Sequence, residues 1–200
     1  MIWQKITALF STKENNGKAT PTVDDWEGQR LAVTQRIVKR IFCLSACACR
    51  ANLEGGAGHP DAQAVHKQIR PWLKAVNAEA DLEPWEAKLL DKPLGKLEPA
   101  EHVKSSWCGE GVVLLAWALQ LFPLPPHDKT TSGQEIARRM HFLQPDALKL
   151  VAMANLRSQA ELKEMKSKVL TIHWRLREFN LRSQPINFPE VTKRGIFNGI

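Results

Sequence analysis

Two side chains suited to proton transfer lie within apolar stretches of the chain. Glu110 lies in residues 106–119, where most other residues are small or apolar. A carboxylate is costly to bury there, so it is expected either to pair with a cation or to stay exposed at the start of its helix. The candidate cations are Arg36, Arg40 and Arg175. A buried Glu110 would be available for proton transfer, and a structural ion pair is the alternative.

His173 is the second candidate, because it follows the apolar position Ile172 on a predicted helix and is expected to be half-buried. Glu110 and His173 together would give a hydrolase-like enzyme its acid and base. Trp107 and Trp174 would then line the cleft. A hydrogen-bonded packing histidine is the alternative. No Gly-x-Ser-x-Gly motif or other nucleophile–base pairing is present, so the sequence favours binding over catalysis.

The four cysteines form no metal-binding pattern. Cys43, Cys47 and Cys49 are close in sequence, and Cys108 is isolated. Cys43 and Cys47 share a helix face, but no Cys-x-x-Cys pair or suitably spaced histidine completes a zinc set. Small buried thiols are therefore expected, with no metal and no cofactor; a metal or redox role is the alternative. Reduced thiols fit a cytoplasmic location.

The aromatic composition is unusual, with seven Trp, seven Phe and no Tyr. Five of the tryptophans fall in predicted helices that have an apolar side, which makes them candidates for core or groove anchors. These are Trp26, Trp85, Trp107, Trp117 and Trp174. The predicted binding residues are Trp107, Trp117, Trp174 and the adjacent Arg175.

The net charge of +7 is concentrated near the C-terminus, where residues 155–200 hold nine basic and four acidic side chains. A basic amphipathic helix can bind nucleic acid or an anionic surface. Here Glu161, Glu164 and Glu178 are interspersed with the cations, so a solvated helix face is favoured and nucleic acid is not the expected partner. The proportions of 44% hydrophobic and 24% charged residues exclude a disordered polyelectrolyte.

The elements that must position these residues are predicted to be helices. The pattern predicts an all-α domain of six to eight helices with no substantial sheet, because no convincing strand alternation occurs. The first long helix is expected to begin at Asp24 or Asp25 and to stop at residues 55–58, and a second to span residues 60–78. Pro84 and Pro99 suit the first position of two further helices.

The helix that begins at Pro99 is expected to continue to Pro123. Its predicted inward face comprises Trp107, Glu110, Val113, Leu114, Trp117 and Leu121. Thr131 and Ser132 are alternative caps for the next helix, and Asp146 is a candidate cap for a later one. Ser158 and Glu161 form another capping box.

The last helix has the clearest periodicity. Apolar residues recur at spacings of three and four, at Leu162, Met165, Val169, Ile172, Leu176 and Phe179. Such a seam packs either on the domain's own core or on a second copy. The sequence therefore leaves open a homodimer through the helix of residues 158–182.

Three regions are predicted along the chain. Residues 1–23 form an N-terminal amphipathic segment and polar linker, residues 24–182 the helical domain, and residues 183–200 a C-terminal tail. The longest apolar run, residues 112–122, is shorter than a membrane span requires. No secretory signal is recognised at the N-terminus, and a soluble cytoplasmic protein is expected.

Four segments in order resemble the domain of unknown function 4272 family, an uncharacterised bacterial family. They are the Arg- and Ala-rich first helix at 36–51, Leu-Glu-Pro-Trp-Glu at 82–86, the Ser-Trp helix at 106–119, and the Leu-Arg-Ser to His-Trp segment at 156–175. The resemblance covers roughly residues 25–182 and implies a helical cytoplasmic domain with no assigned activity. Two departures are Cys108, where the family tends to place arginine, and residues 191–200, where it tends to continue with a Trp-containing helix.

The departure at residues 191–200 raises the hypothesis that the chain is a truncated or frameshifted copy. The function expected from all these features is that of a protein-interaction or structural module. The alternatives are a hydrolase-like enzyme that uses Glu110 and His173, and nucleic-acid or anionic-surface binding by the basic C-terminal helix.

Overall fold

The protein is described here by a computed structural model that covers residues 23–126, 129 and 131–182, without the side chains of residues 23–28, 173 and 176–182. The prediction of an all-α fold is confirmed, since no strand occurs within these ranges. The helices are α1 (Val23–Leu53), α2 (Pro60–Ala75), α3 (Pro84–Asp91), α4 (Pro99–Ser106), α5 (Cys108–Ala118), α6 (Gly133–Arg139), α7 (Lys149–Met153) and α8 (Gln159–Arg182). Two short 3-10 turns, Glu54–Gly56 and Glu79–Asp81, follow α1 and α2.

The chain divides into two compact units, one that ends at Arg157 and one that begins at Ser158. The predicted N-terminal segment and C-terminal tail lie outside the described residues, except for Val23. The domain boundaries at residues 24 and 182 stay a prediction, as does the hypothesis of truncation.

The first unit is organised around α1, which contacts every helix from α2 to α7. Its second half is apolar on nearly all sides, and Ile37, Ile41, Phe42 and Leu44 are almost completely buried. A helix that is apolar all round is stable only when neighbours cover each face. The first helix is therefore the central element of this unit, and it ends in a 3-10 turn at the predicted glycines.

The helix predicted from Pro99 to Pro123 is in fact two helices, α4 and α5, which meet at Trp107. The predicted inward face was only partly right, because Val113 is buried and Leu114 and Leu121 pack against the core, whereas Trp107 is 63% exposed. The face missed the buried residues Cys108, Val112, Leu115, Ala116 and Leu119. The reason is that α5 is apolar on almost every side, so its hydropathy pattern carries little directional information. Its small residues face α1, where they permit close helix packing.

Local capping signals were the most accurate part of the prediction. Pro84 and Pro99 occupy the first turns of α3 and α4, each with a complete capping box. Ser132, rather than Thr131, caps α6 by accepting a hydrogen bond from the N–H of Glu135 at 3.1 Å. Side-chain caps act over three residues, so sequence spacing alone can reveal them.

Two predicted boundaries need correction. α2 ends at Ala75 instead of Ala78, and Asn77 adopts a positive φ of 55°, a conformation that terminates helices. Asp146 does not cap α7; its carboxylate pairs instead with the ring of His141 at 2.9 Å. This contact lowers the pKa of Asp146.

Two buried ion pairs hold other helices against α1. Arg40 donates to both carboxylate oxygens of Glu86, a residue of α3 whose side chain is fully buried. Arg50 is also fully buried and pairs with Glu54. Arg50 donates in addition to the carbonyl of Pro93 at 2.8 Å, so it secures the segment between α3 and α4.

The second unit, described by itself, consists of α8. Ser158 and Glu161 form the predicted capping box, in which the N–H of Ser158 donates to the Glu161 carboxylate at 3.0 Å. The first seam residues are half-buried, whereas Ile172 is 47% exposed. The side chains of Leu176 and Phe179 lie outside the described residues. The homodimer through residues 158–182 therefore stays a prediction.

We predict that Glu86→Ala lowers the free energy of unfolding by about 3 kcal/mol or more, because it leaves the mostly buried guanidinium of Arg40 without its main partner. The matched control is Asp81→Asn. Asp81 pairs with Lys39, the residue before Arg40, but this pair is partly exposed and should cost less than about 1 kcal/mol. Urea unfolding of both variants measures the difference between their free energies of unfolding. Equal destabilisation by the two substitutions would contradict the larger role given to the Arg40–Glu86 pair.

We also predict that Glu54 makes a pH-dependent contribution to the stability of the folded protein. Burial opposes its charge, but hydrogen bonds from Arg50 and from the N–H groups of Leu97 and Gly95 outweigh burial and hold the pKa of Glu54 below its ordinary value of 4.5. The stabilisation of the folded state by the charged Glu54 carboxylate is therefore fully present above pH 4.5, the ordinary pKa. It is lost as the pH falls through the lowered pKa of the folded protein.

The test is Glu54→Gln, which should lower the free energy of unfolding by about 3 kcal/mol at neutral pH. It should also lose less stability than the wild type between neutral pH and about pH 3. Urea unfolding at both pH values measures the loss of free energy of unfolding in each protein. An equal loss in the wild type and in the variant would argue against Glu54 as the titrating group.

Candidate functional site

A cleft of about 550 Å³ lies within the first unit. α1 forms one wall, the α4–α5 junction another, and the segment from Thr131 through α6 a third; Phe142 completes the lining. The volume falls within the range of roughly 300–1,000 Å³ that is typical of small-molecule sites. This cleft is the strongest candidate for a binding site in the described part of the chain.

The wall from α1 is formed by Ser45, Cys49 and Asn52, which recur at spacings of four and three. Such spacing places side chains on one face of a helix. Asn52 fits closely against α6, because a Cβ added at Gly133 would lie 2.9 Å from its Nδ2 atom. Ala48 lies in the same stretch of α1 and also belongs to the lining.

Glu110 lies in the first turn of α5 and contributes the one carboxylate among the described lining residues. It is half-buried and forms no hydrogen bond or ion pair with any described residue. Glu110 was expected either to pair with a cation or to stay exposed at the start of its helix. The structure shows the second of these, partial exposure at the helix start. Arg40, one of the candidate partners, pairs with Glu86 instead.

Ser45 also lines the cleft, and its hydroxyl oxygen is buried without a hydrogen-bond partner. Its side chain is only about 5% exposed. A buried hydroxyl without a partner costs free energy, whereas most serines within helices bond to a backbone carbonyl one turn earlier. The cleft therefore contains two polar groups, Ser45 and Glu110, whose bonding capacity the protein itself does not use.

The pKa values of three cysteine thiols, Cys43, Cys47 and Cys49, are raised. Burial raises the pKa of Cys49 to about 11 and that of Cys43 to about 12. Cys108, isolated in sequence, is adjacent to Cys47 in space, and the hydrogen bond between these two thiols, together with burial, raises the pKa of Cys47 well above its ordinary value. Among the described residues, no three His, Cys, Asp or Glu side chains cluster as metal ligands.

The predicted binding tryptophans lie in different places. Trp107 lies one residue from Ser106 and one turn before Glu110, beside the cleft. Trp117 lies near the far end of α5, half-buried, with the guanidinium of Arg157 at 4.5 Å over its ring. The buried tryptophan of the core is Trp72, which the prediction missed, and its indole donates to the carbonyl of Gln144 at 3.2 Å.

The remaining candidates belong to α8 in the second unit. Trp174 is 43% exposed, and Arg175 is also exposed. The side chain of His173 lies outside the described residues. The catalytic pair of Glu110 and His173 therefore stays a prediction, and the structure adds no second group to Glu110 that would complete it.

The chain belongs to the family described as a domain of unknown function (DUF4272), whose family model matches residues 12–192. The resemblance noted from the sequence is thereby confirmed. Neither a curated protein nor a solved structure matches the chain. Within the described ranges, no helix is both long and apolar enough to cross a membrane.

We predict that Cys49 is the first cysteine to be alkylated in the folded protein, because it alone of the four lines the cleft and is not fully buried. Its raised pKa leaves little thiolate at neutral pH, so the reaction should be slow and should accelerate with rising pH. Mass spectrometry after brief iodoacetamide treatment identifies the modified residue. Earlier modification of Cys43, Cys47 or Cys108 would show that the cleft does not admit the reagent.

Proposed function

We propose that this protein is a protein-interaction module and that it binds a segment of a partner at the cleft between α1, the α4–α5 junction and α6. The observation that carries this proposal is Trp107, a large aromatic side chain 63% exposed at the edge of the cleft. Interfaces are enriched in tryptophan, which is among the residues that most often carry binding energy.

Neighbouring residues extend the same surface. Val103 precedes Trp107 by one turn and is 57% exposed. The N–H of Trp107 donates to the carbonyl of Val103 at 3.3 Å, so the helical turn continues through the α4–α5 junction. Val103, Ser106, Trp107 and Glu110 therefore lie within about 100° of the helix circumference. This helix face, which we name the Trp107 face, combines two exposed apolar side chains with two residues of the cleft lining.

The arrangement supports binding more than catalysis. Exposed apolar side chains lie beside the cleft, and polar groups lie within it. Aromatic side chains often supply most of the affinity of an interface, and the polar groups would add specificity. Catalysis would need a second reactive group beside Glu110, and none is described there.

We predict that Trp107→Ala weakens partner binding roughly tenfold or more, while it changes the free energy of unfolding by no more than about 0.5 kcal/mol. Stability should be preserved because the ring is mostly exposed. The measurement is affinity capture from a lysate of the producing organism, with quantitative mass spectrometry of the captured proteins.

The matched control is Trp174→Ala, which removes another exposed tryptophan, one that is not part of the Trp107 face. Proteins that the wild type and the Trp174 variant capture, but the Trp107 variant does not, are the predicted partners. Identical capture by all three proteins would refute the role of the Trp107 face.

A further inference from the structure

We propose that the cleft receives an arginine side chain of the partner, held by Glu110 and Ser45. This inference rests on the proposed function and specifies the chemistry that the cleft recognises. It follows from the charge, the unused hydrogen-bonding groups and the walls of the cleft.

The charge of the cleft favours a cation. Among the described lining residues, Glu110 provides the one carboxylate, and none is a lysine, an arginine or a histidine. Other carboxylates of the first unit are matched within the fold, such as Glu86 by Arg40 and Glu54 by Arg50. Residues 1–154 carry nineteen basic and seventeen acidic side chains, so most of the +7 charge belongs to residues 155–200. A half-buried carboxylate without a partner is complementary to a positively charged group.

The unused hydroxyl of Ser45 is an independent observation for a ligand. It is nine-tenths buried, lines the same cleft and has no hydrogen-bond partner. The hydroxyls of Ser106 and Thr131 and the amides of Asn52 and Gln134 also belong to the lining. The cleft thus offers one carboxylate and several neutral oxygen acceptors, which suits a ligand with many N–H donors.

Guanidinium meets these requirements better than ammonium. It carries five N–H donors in a planar fork, binds a carboxylate through two parallel hydrogen bonds and is more weakly hydrated than the lysine head group. The apolar part of the lining, Ala48, Ile136 and Phe142, would pack against the aliphatic stem. The ring of Phe142 is itself held edge-on against Trp72, with centroids 4.8 Å apart.

The probe is N-acetyl-arginine amide, a single arginine residue within blocked peptide bonds. We expect it to bind the wild-type protein at millimolar concentration and to shift the amide resonances of Ser45 and Glu110 in two-dimensional NMR spectra. Glu110→Gln should weaken binding about tenfold or more, because it removes the charge but keeps the shape of the side chain. Ser45→Ala should weaken it by a smaller factor.

Three controls make the test specific. Asp61→Asn removes a negative charge from an exposed side chain outside the cleft and should leave binding unchanged. N-acetyl-citrulline amide has nearly the shape of the arginine probe without its charge and should bind about tenfold more weakly or not at all. N-acetyl-lysine amide should bind more weakly than the arginine probe. The dispersion of the NMR spectrum reports whether each variant is folded.

The inference is overturned if the arginine probe does not bind, if Glu110→Gln leaves its affinity unchanged, or if citrulline or lysine binds equally well. These outcomes are distinguishable from failure of the proposed function. Loss of partner capture by Trp107→Ala without arginine binding would refute only the arginine subsite. Arginine binding that depends on Glu110, together with capture unaffected by Trp107→Ala, would refute only the protein-docking role of the Trp107 face.

Discussion

The burial of α1 on nearly all sides is the constraint on which the rest of the first unit depends. An enclosed helix offers its polar side chains no water, so each of them needs a specific partner. Arg40 obtains one from α3, and Arg50 obtains several from Glu54 and the following segment. Ser45 obtains none and lies at the cleft. Of these three side chains, those of Arg40 and Arg50 hold the fold together, and that of Ser45 has no partner in the described part of the chain.

The same constraint explains the shape of the neighbouring elements. Small residues along α5 allow its backbone to approach α1; a Cβ added at Gly109 would lie 4.0 Å from the Cβ of Ala48. The junction at Trp107 separates a short, polar α4 from the buried α5, and the indole of Trp107 is exposed. Packing and site are therefore coupled, because the close approach that completes the core also sets the wall of the cleft on which Glu110 lies.

Local features of the chain could be predicted from the sequence, and features set by distant contacts could not. The starts of α3 and α4 follow from proline and glutamate positions within three residues of one another. The inward face of α5 could not be predicted, because a helix buried all round has no amphipathic signature. The pairing of Glu86 with Arg40 joins residues 46 positions apart, and nothing in the local sequence selects it. One missed signal was present: Ser45, Cys49 and Asn52 form a polar row at helical spacing within an apolar segment, which marks the α1 wall of the cleft.

The position of α1 in the chain also has a consequence for biosynthesis. The helix leaves the ribosome before any of its packing partners, and α5, which covers it most closely, begins only at Cys108. Until that segment emerges, the part of the apolar surface of α1 that α5 covers has no partner in the chain, a state that favours aggregation or chaperone binding. The nascent chain is therefore most vulnerable during synthesis of its middle third, and slow translation there prolongs the exposure.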